Sequence, residues 1–214
     1  MGEGTKGEPI VFVVDDDPQV REGVKVLLES MNLRCEAFNS TREFLEYKPH
    51  DGPSCLILDV RLPGHSGLDF QQELARAQIN TPIIFISGYA DVPMTVRAMK
   101  GGAFGFLTKP IHEQDLLDAV HSALDYDKVN RKQGQQLVEL RKRFEALSPR
   151  ERQVMTLVAA GLMNKQAAVE IGLSEVTVKF HRHNLMRKLG VKSIVELSRA
   201  AEMLGIVPKG DGIN

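Results

Sequence analysis

Apolar and polar positions change period several times along the first 124 residues. Ile10-Val11-Phe12-Val13-Val14 runs unbroken into Asp15-Asp16-Asp17, and Cys55-Leu56-Ile57-Leu58 runs into Asp59. Pro82-Ile83-Ile84-Phe85-Ile86 runs into Ser87-Gly88. Short continuous apolar runs bounded by turn signals read as strands buried on both faces. Leu33 to Phe38 alternates, predicting a more exposed strand, and Ala103 to Leu107 predicts a fifth strand closing on Thr108-Lys109-Pro110. Helical spacing fills the gaps. Pro18 to Ser30 carries Val20, Val24, Leu27 and Leu28, with Asp17 as its cap. Ser40-Thr41 opens a short helix with Phe44 and Leu45 inward, and the segment 67–77 carries Leu68, Phe70 and Leu74. Pro93 to Lys100 is stopped by Gly101-Gly102, and a helix from Glu113 carries Leu116, Leu117, Val120 and Leu124. Five strands alternating with five helices predict an α/β, doubly wound, five-stranded parallel sheet.

The pattern then changes. From Asp125 to about Ala146 the chain is polar and rich in helix formers, with a thin stripe at Leu137, Leu140, Phe144 and Leu147. This predicts a helical linker weakened at Gly134. Ser148-Pro149-Arg150-Glu151 is a capping box opening a helix that stops near Gly161. A second helix covers Asn164 to Ile171, a third runs from the Ser174 cap to Leu189, and a fourth opens at Ser193 with Ile194, Leu197, Ala201 and Leu204 inward. Short helices joined by a tight Gly-containing turn, the later one longer and basic, describe an all-α helix-turn-helix module. The expected organisation is a flexible start (1–8), an α/β domain (9–124), a helical linker (125–146), an all-α four-helix domain (147–205) and a tail (206–214).

Charge sharpens the division. The 214 residues sum to −1, but residues 1–124 hold 11 Lys and Arg against 18 Asp and Glu, whereas residues 125–214 hold 16 against 10. The halves are therefore −7 and +6, and the basic one is suited to nucleic acid. No apolar run reaches membrane-spanning length, and the polar start has no signal-peptide apolar region. Cys35 and Cys55 sit in strand-like contexts and read as reduced core thiols of a cytoplasmic protein.

Four strand ends converge in such a sheet, supplying Asp15 and Asp16, Asp59, Ser87 and Lys109. Crowded carboxylates need a counter-charge, and a hard divalent cation with oxygen ligands, Mg²⁺ above all, meets that need. Lys109 adds a fixed positive charge and Ser87 a hydroxyl. Together they can hold a phosphoryl group on a carboxylate, with Asp59 as nucleophile and Ser87 binding one phosphoryl oxygen.

Residues 10 to 124 closely resemble the receiver domain of two-component response regulators, which has a flavodoxin-like fold. Val13-Val14-Asp15-Asp16-Asp17, Leu58-Asp59-Val60-Arg61-Leu62-Pro63-Gly64, Ile86-Ser87-Gly88 and Leu107-Thr108-Lys109-Pro110 stand in the family's order and spacing. The resemblance implies that Asp59 accepts phosphate from a histidine kinase and that Asp15, Asp16, Asp59 and the backbone carbonyl of Arg61 hold Mg²⁺. It also implies a cis Lys109-Pro110 bond and a switch role for Ser87 and Phe106. Where many relatives have Thr and Tyr, this chain has Ser87 and Phe106. Ser keeps the hydroxyl; Phe leaves switching to packing alone. The run from Gly88 to Lys100 is similar to the FixJ subgroup, in which phosphorylation builds a homodimer surface on the fourth helix and fifth strand.

Leu147-Ser148-Pro149-Arg150-Glu151-Arg152, Ala160 to Lys165, Thr177 to His181 and Met186 to Gly190 closely resemble the LuxR/NarL-type DNA-binding domain. On the third helix Val178, His181, Leu185 and Leu189 are spaced to face a core. Val176, Lys179, Phe180, His183 and Arg187 lie opposite, on a face suited to the major groove. The resemblance puts base reading on Lys179, Phe180 and His183. Thr177, Arg182, Lys188, Asn164 and Lys165 sit where phosphate contacts would position the helix. Met163 replaces the usual capping Ser or Thr, with Asn164 as a partial substitute. Arg141-Lys142-Arg143 reads as a solvated helix face, with DNA phosphate contact as the alternative. The expectation is a transcription regulator, phosphorylated on Asp59 and dimerising to bind double-stranded DNA half-sites, with RNA polymerase as a further partner. It is not a dedicated enzyme beyond slow self-phosphorylation and self-dephosphorylation. An aspartyl-phosphate phosphatase and a constitutive DNA binder are the alternatives.

Overall fold

The computed structural model describes residues 7–89 and 91–206, so most of both expected tails lies outside the described residues. The chain forms two compact units, residues 1–131 and 132–214.

In the first unit, β1 (Ile10–Val14), β2 (Arg34–Phe38), β3 (Ser54–Asp59), β6 (Ile83–Ser87) and β7 (Gly105–Thr108) form one sheet in the order β2-β1-β3-β6-β7. All its pairings are parallel. Two short strands, β4 (Arg61–Leu62) and β5 (His65–Ser66), pair antiparallel just after β3. Alternation along the buried strands builds two cores. Ile10, Phe12, Val14, Leu56, Leu58 and Phe85 face one side, under α2 (Thr41–Glu46), α3 (Gly67–Arg76) and α4 (Val92–Lys100). Val11, Val13, Cys55, Ile57, Ile84 and Ile86 face the other, under α1 (Pro18–Ser30) and α5 (Glu113–Glu145). Strands buried on both faces need helices on both faces, and this is the doubly wound arrangement that the apolar runs predicted.

Asp17 caps α1 by accepting from Gln19 N–H. Both cysteines are free and buried, and burial pushes the Cys35 thiol up to about 12 and that of Cys55 up further. Three local expectations need correction. Leu45 is 52% exposed, because a six-residue helix buries only one position, Phe44. β7 begins at Gly105, because Ala103 N–H is used on Ala98 O to close α4. Gly134 does not interrupt α5, which is helical from Glu113 to Glu145.

The second unit holds the distal part of α5 with α6 (Pro149–Ala159), α7 (Asn164–Ile171), α8 (Glu175–Leu189) and α9 (Ile194–Met203). Its core gathers Leu147, Val154, Met155, Val158, Ala167, Val178, Leu185, Leu189, Leu197 and Ala201, with Leu140 and Phe144 of α5 packed against it. Ile194 is 38% exposed rather than inward, since the first turn of α9 lies at the edge of this core. The Ser148–Glu151 capping box forms as read. At Met163 no side chain caps α7; Gln166 accepts from Met163 N–H at 2.8 Å. Asn164 does not substitute as a cap, because its Oδ1 is taken by Arg182.

Candidate functional site

β1, β3, β6 and β7 release their polar groups at the carboxyl edge of the sheet, where open α/β folds place ligands. Asp15 and Asp59 are buried and Asp16 is exposed, and one carboxylate oxygen from each lies within 4.8 Å of the others. Lys109 bridges two of them, donating to Asp15 Oδ2 at 2.7 Å and Asp59 Oδ2 at 2.6 Å. The second oxygens are held by the backbone: Asp15 Oδ1 accepts from Asp17 N–H at 2.9 Å and Asp59 Oδ1 from Arg61 N–H at 3.0 Å. Arg21 donates to the Asp15 carbonyl at 2.7 Å, a buttress that sequence reading missed. Burial pushes the Asp15 carboxyl above its ordinary range, opposed by the Lys109 hydrogen bond. Burial disfavours the Lys109 charge, yet the Asp15 and Asp59 hydrogen bonds outweigh it and hold the ammonium above its usual value.

Three carboxylates against one ammonium leave an excess of negative charge, and the donors are all oxygen. That set fits a hard divalent cation. Lys109-Pro110 is cis, as the receiver resemblance implied. Ser87 is fully buried, and its hydroxyl is engaged with its own loop, donating to Tyr89 O at 3.1 Å and accepting from Tyr89 N–H at 3.3 Å. Phe106 is half-buried against the core, its ring 6.3 Å from that of Phe85. At the rim the Arg61 guanidinium lies 4.9 Å from the centre of the exposed Tyr89 ring. The sequence reading gave Arg61 a role only through its backbone carbonyl; the side-chain stack was not visible beforehand, because it joins β4 to the loop after β6.

In the second unit α8 is split as its spacing predicted. Val178, Leu185 and Leu189 are buried, whereas Val176, Lys179, Phe180, His183 and Arg187 are exposed, Phe180 to 62%. His181 is half-buried. Ser174 caps α8, and its hydroxyl also bonds Thr177 Oγ1 at 2.8 Å. Lys179 pairs with Glu175 at 3.0 Å on the surface. Arg182 donates to Asn164 Oδ1 at 3.1 Å, tying α8 to α7, and Lys165 is exposed. Lys188 is turned inward onto the buried Glu151 at 2.7 Å, a partner invisible in helical spacing.

Comparison with known proteins agrees with both halves. Residues 11–121 match the family described as response regulator receiver domain, and residues 145–201 match the luxR family of bacterial regulatory proteins. The chain is a two-component response regulator with a LuxR-type DNA-binding domain. Nodulation protein W of Bradyrhizobium diazoefficiens is 54% identical over 197 residues, 92% of this chain and 87% of that protein. The response regulator TodT of Pseudomonas putida is 45% identical over 91% of this chain and 86% of its own length. Among solved structures, the response regulator StyR superposes with a TM-score of 0.78 at 46% identity, covering 92% of this chain and 99% of that one. Full-length FixJ from B. japonicum gives 0.55 at 33% identity, covering 94% and 100%. A further relative, FixJ of Azorhizobium caulinodans, 38% identical over 94% of this chain and 95% of that protein, is described as a transcriptional regulatory protein. Among the described residues of this response regulator no helix is long and apolar enough to cross a membrane.

Proposed function

We propose that Asp59 is the phosphoacceptor of this regulator and that its phosphorylation by a histidine kinase promotes dimerisation and sequence-specific DNA binding. The observation that carries this reading is the Lys109 bridge between Asp15 and Asp59 beside a third carboxylate. In the transfer, an Asp59 oxygen bonds to the phosphorus of a phosphohistidine as the P–N bond breaks, and the imidazole leaves and takes up a proton. Asp15, Asp16, Asp59 and the Arg61 carbonyl would hold Mg²⁺, which when bound neutralises charge on the phosphoryl oxygens. Lys109 exchanges its Asp59 partner for a phosphoryl oxygen. Ser87 gives up its Tyr89 partners to donate to another, and Phe106 repacks behind it. This is a shift between two populations. In this reading the receiver domain spans residues 9–124, the DNA-binding domain 147–205 and the linker 125–146, which is the distal part of α5 and the turn after it.

On the DNA side, the exposed Lys179, Phe180 and His183 read base edges. Arg187 lies on the same groove face, while Thr177, Arg182, Asn164 and Lys165 contribute to phosphate positioning, with Arg182 and Asn164 acting as a bonded pair. Lys188, spent on Glu151, contributes least. The working location is the cytoplasm, with the cognate kinase, promoter DNA and RNA polymerase as partners.

The test is sedimentation velocity with Mg²⁺, with and without beryllofluoride, on the wild type and Asp59→Asn. A monomer-to-dimer shift that Asp59→Asn abolishes is expected. A shift retained in Asp59→Asn would remove Asp59 from the reading.

A further inference from the structure

Arg143 is the last residue of a basic triplet that reads from sequence as a solvated face. The structure gives it a defined task. Its Nε pairs with Glu139 Oε1 at 3.0 Å, one turn back on α5, and this aims the rest of the guanidinium. Its Nη1 then donates to Leu189 O at 3.2 Å, a carbonyl at the carboxyl end of α8 that the helix itself cannot satisfy. Gly190, immediately after, has φ +75° and leaves the space: a Cβ there would lie 2.6 Å from the Arg143 guanidinium. The return contact is made by Lys188 of α8, which donates to Glu151 Oε2 at 2.7 Å and reaches Ala146 O, just past the end of α5, at 3.5 Å. Arg152 closes the junction, donating to Glu145 O at 2.8 Å with its guanidinium 5.1 Å from the Phe144 ring centre. The ends of α5 and α8 thus cap one another, with cations at helix carboxyl ends where the macrodipole favours them.

We infer that Arg143 is a positioning residue for DNA recognition, clamping the carboxyl end of the recognition helix α8 to the end of α5. This inference rests on the proposed DNA-binding reading. From Leu189 back to Phe180 is about 14 Å at the helical rise of about 1.5 Å per residue. A tilt of about 5° at the clamp therefore moves the reading residues by about 1 Å along that lever. Bidentate base contacts do not survive such displacement unchanged, whereas non-specific attraction to phosphates does. Arginine suits the role because its planar fork serves Glu139 and Leu189 O together; a lysine keeps the charge but not the bridge.

The experiment compares wild type, Arg143→Ala and Arg143→Lys as full-length, beryllofluoride-treated protein. The probes are a duplex enriched by the wild type from a random-sequence pool and a scrambled duplex of equal composition. Urea midpoints of each variant confirm that binding is measured on folded protein. Arg143→Ala is expected to lose about tenfold on the enriched duplex and less than about twofold on the scrambled one, with the slope of log K against log salt unchanged. Arg143→Lys is expected to behave like Arg143→Ala. Equal losses on both duplexes, with the slope reduced by about one and lysine restoring binding, would make Arg143 a phosphate contact and overturn the inference. Unchanged affinity in both variants would overturn it too. If the wild type enriches no sequence, the DNA-binding reading itself fails, which is a different result.

Discussion

Glu151 shows how one carboxylate is kept charged inside the second unit. It is 4% exposed, and burial alone would raise its pKa. Hydrogen bonds from Lys188 at 2.7 Å and from Ser148 N–H at 2.7 Å outweigh burial and hold it below its ordinary value of 4.5. A carboxyl depressed in the fold contributes stability that is complete above the unfolded value and lost as pH falls through the folded one. Glu151→Gln is therefore expected to cost about 1–3 kcal/mol at pH 7, with the difference from wild type shrinking as pH drops below about 4.5. Urea titrations at pH 7 and pH 3.5 measure both; a difference that persists undiminished at pH 3.5 would mean the charge does not matter. The capping box itself was legible, since Ser148 and Glu151 are three residues apart. Lys188 was not, because it lies 37 positions further on and looks on a helical wheel like any exposed cation. Asp15 and Asp59 were legible for the opposite reason: each ends an apolar run, so its place at a strand end follows from the run.

At the scale of elements, α5 carries its most informative contacts where sequence pattern is silent. Asp127 is buried and accepts from Ser54 N–H at 2.8 Å, while Arg131 pairs with Asp127 and reaches Ser54 Oγ at 3.2 Å and His50 O at 3.3 Å. This clasp fixes α5 to the start of β3, the strand whose far end is Asp59. Removing Asp127 leaves the half-buried Arg131 without its carboxylate and the buried Ser54 N–H without an acceptor. Asp127→Ala is expected to destabilise the first unit by about 1–3 kcal/mol, whereas Arg42→Ala, which breaks an exposed pair with Glu46, stays within about 0.5 kcal/mol. Hydrogen exchange at the β3 amides reads both, and protection unchanged in Asp127→Ala would show the clasp to be idle. The helices and strands were visible because period and caps are local. The clasp was hidden because its partners are 73 residues apart. Leu45 failed for want of length: two adjacent apolar residues in one and a half turns cannot both define the inner face.

At the scale of the whole molecule, the division at Arg131 and Lys132 falls inside α5, so this helix alone has residues in both units. The cores are otherwise built from different residues. The two faces of the sheet draw on positions from Ile10 to Leu124, and the helical core on positions from Leu140 to Ile206. Charge follows the same line, −7 against +6. Deleting core volume is therefore a local injury. Phe70 and Leu185 are both fully buried, one in each unit. Phe70→Ala and Leu185→Ala should each cost about 2–5 kcal/mol, the first in the receiver transition and the second in that of the DNA-binding unit. Calorimetry of the intact chain should then show two transitions, each moved by one substitution and indifferent to the other. If both substitutions moved one shared transition, the units would be a single cooperative body.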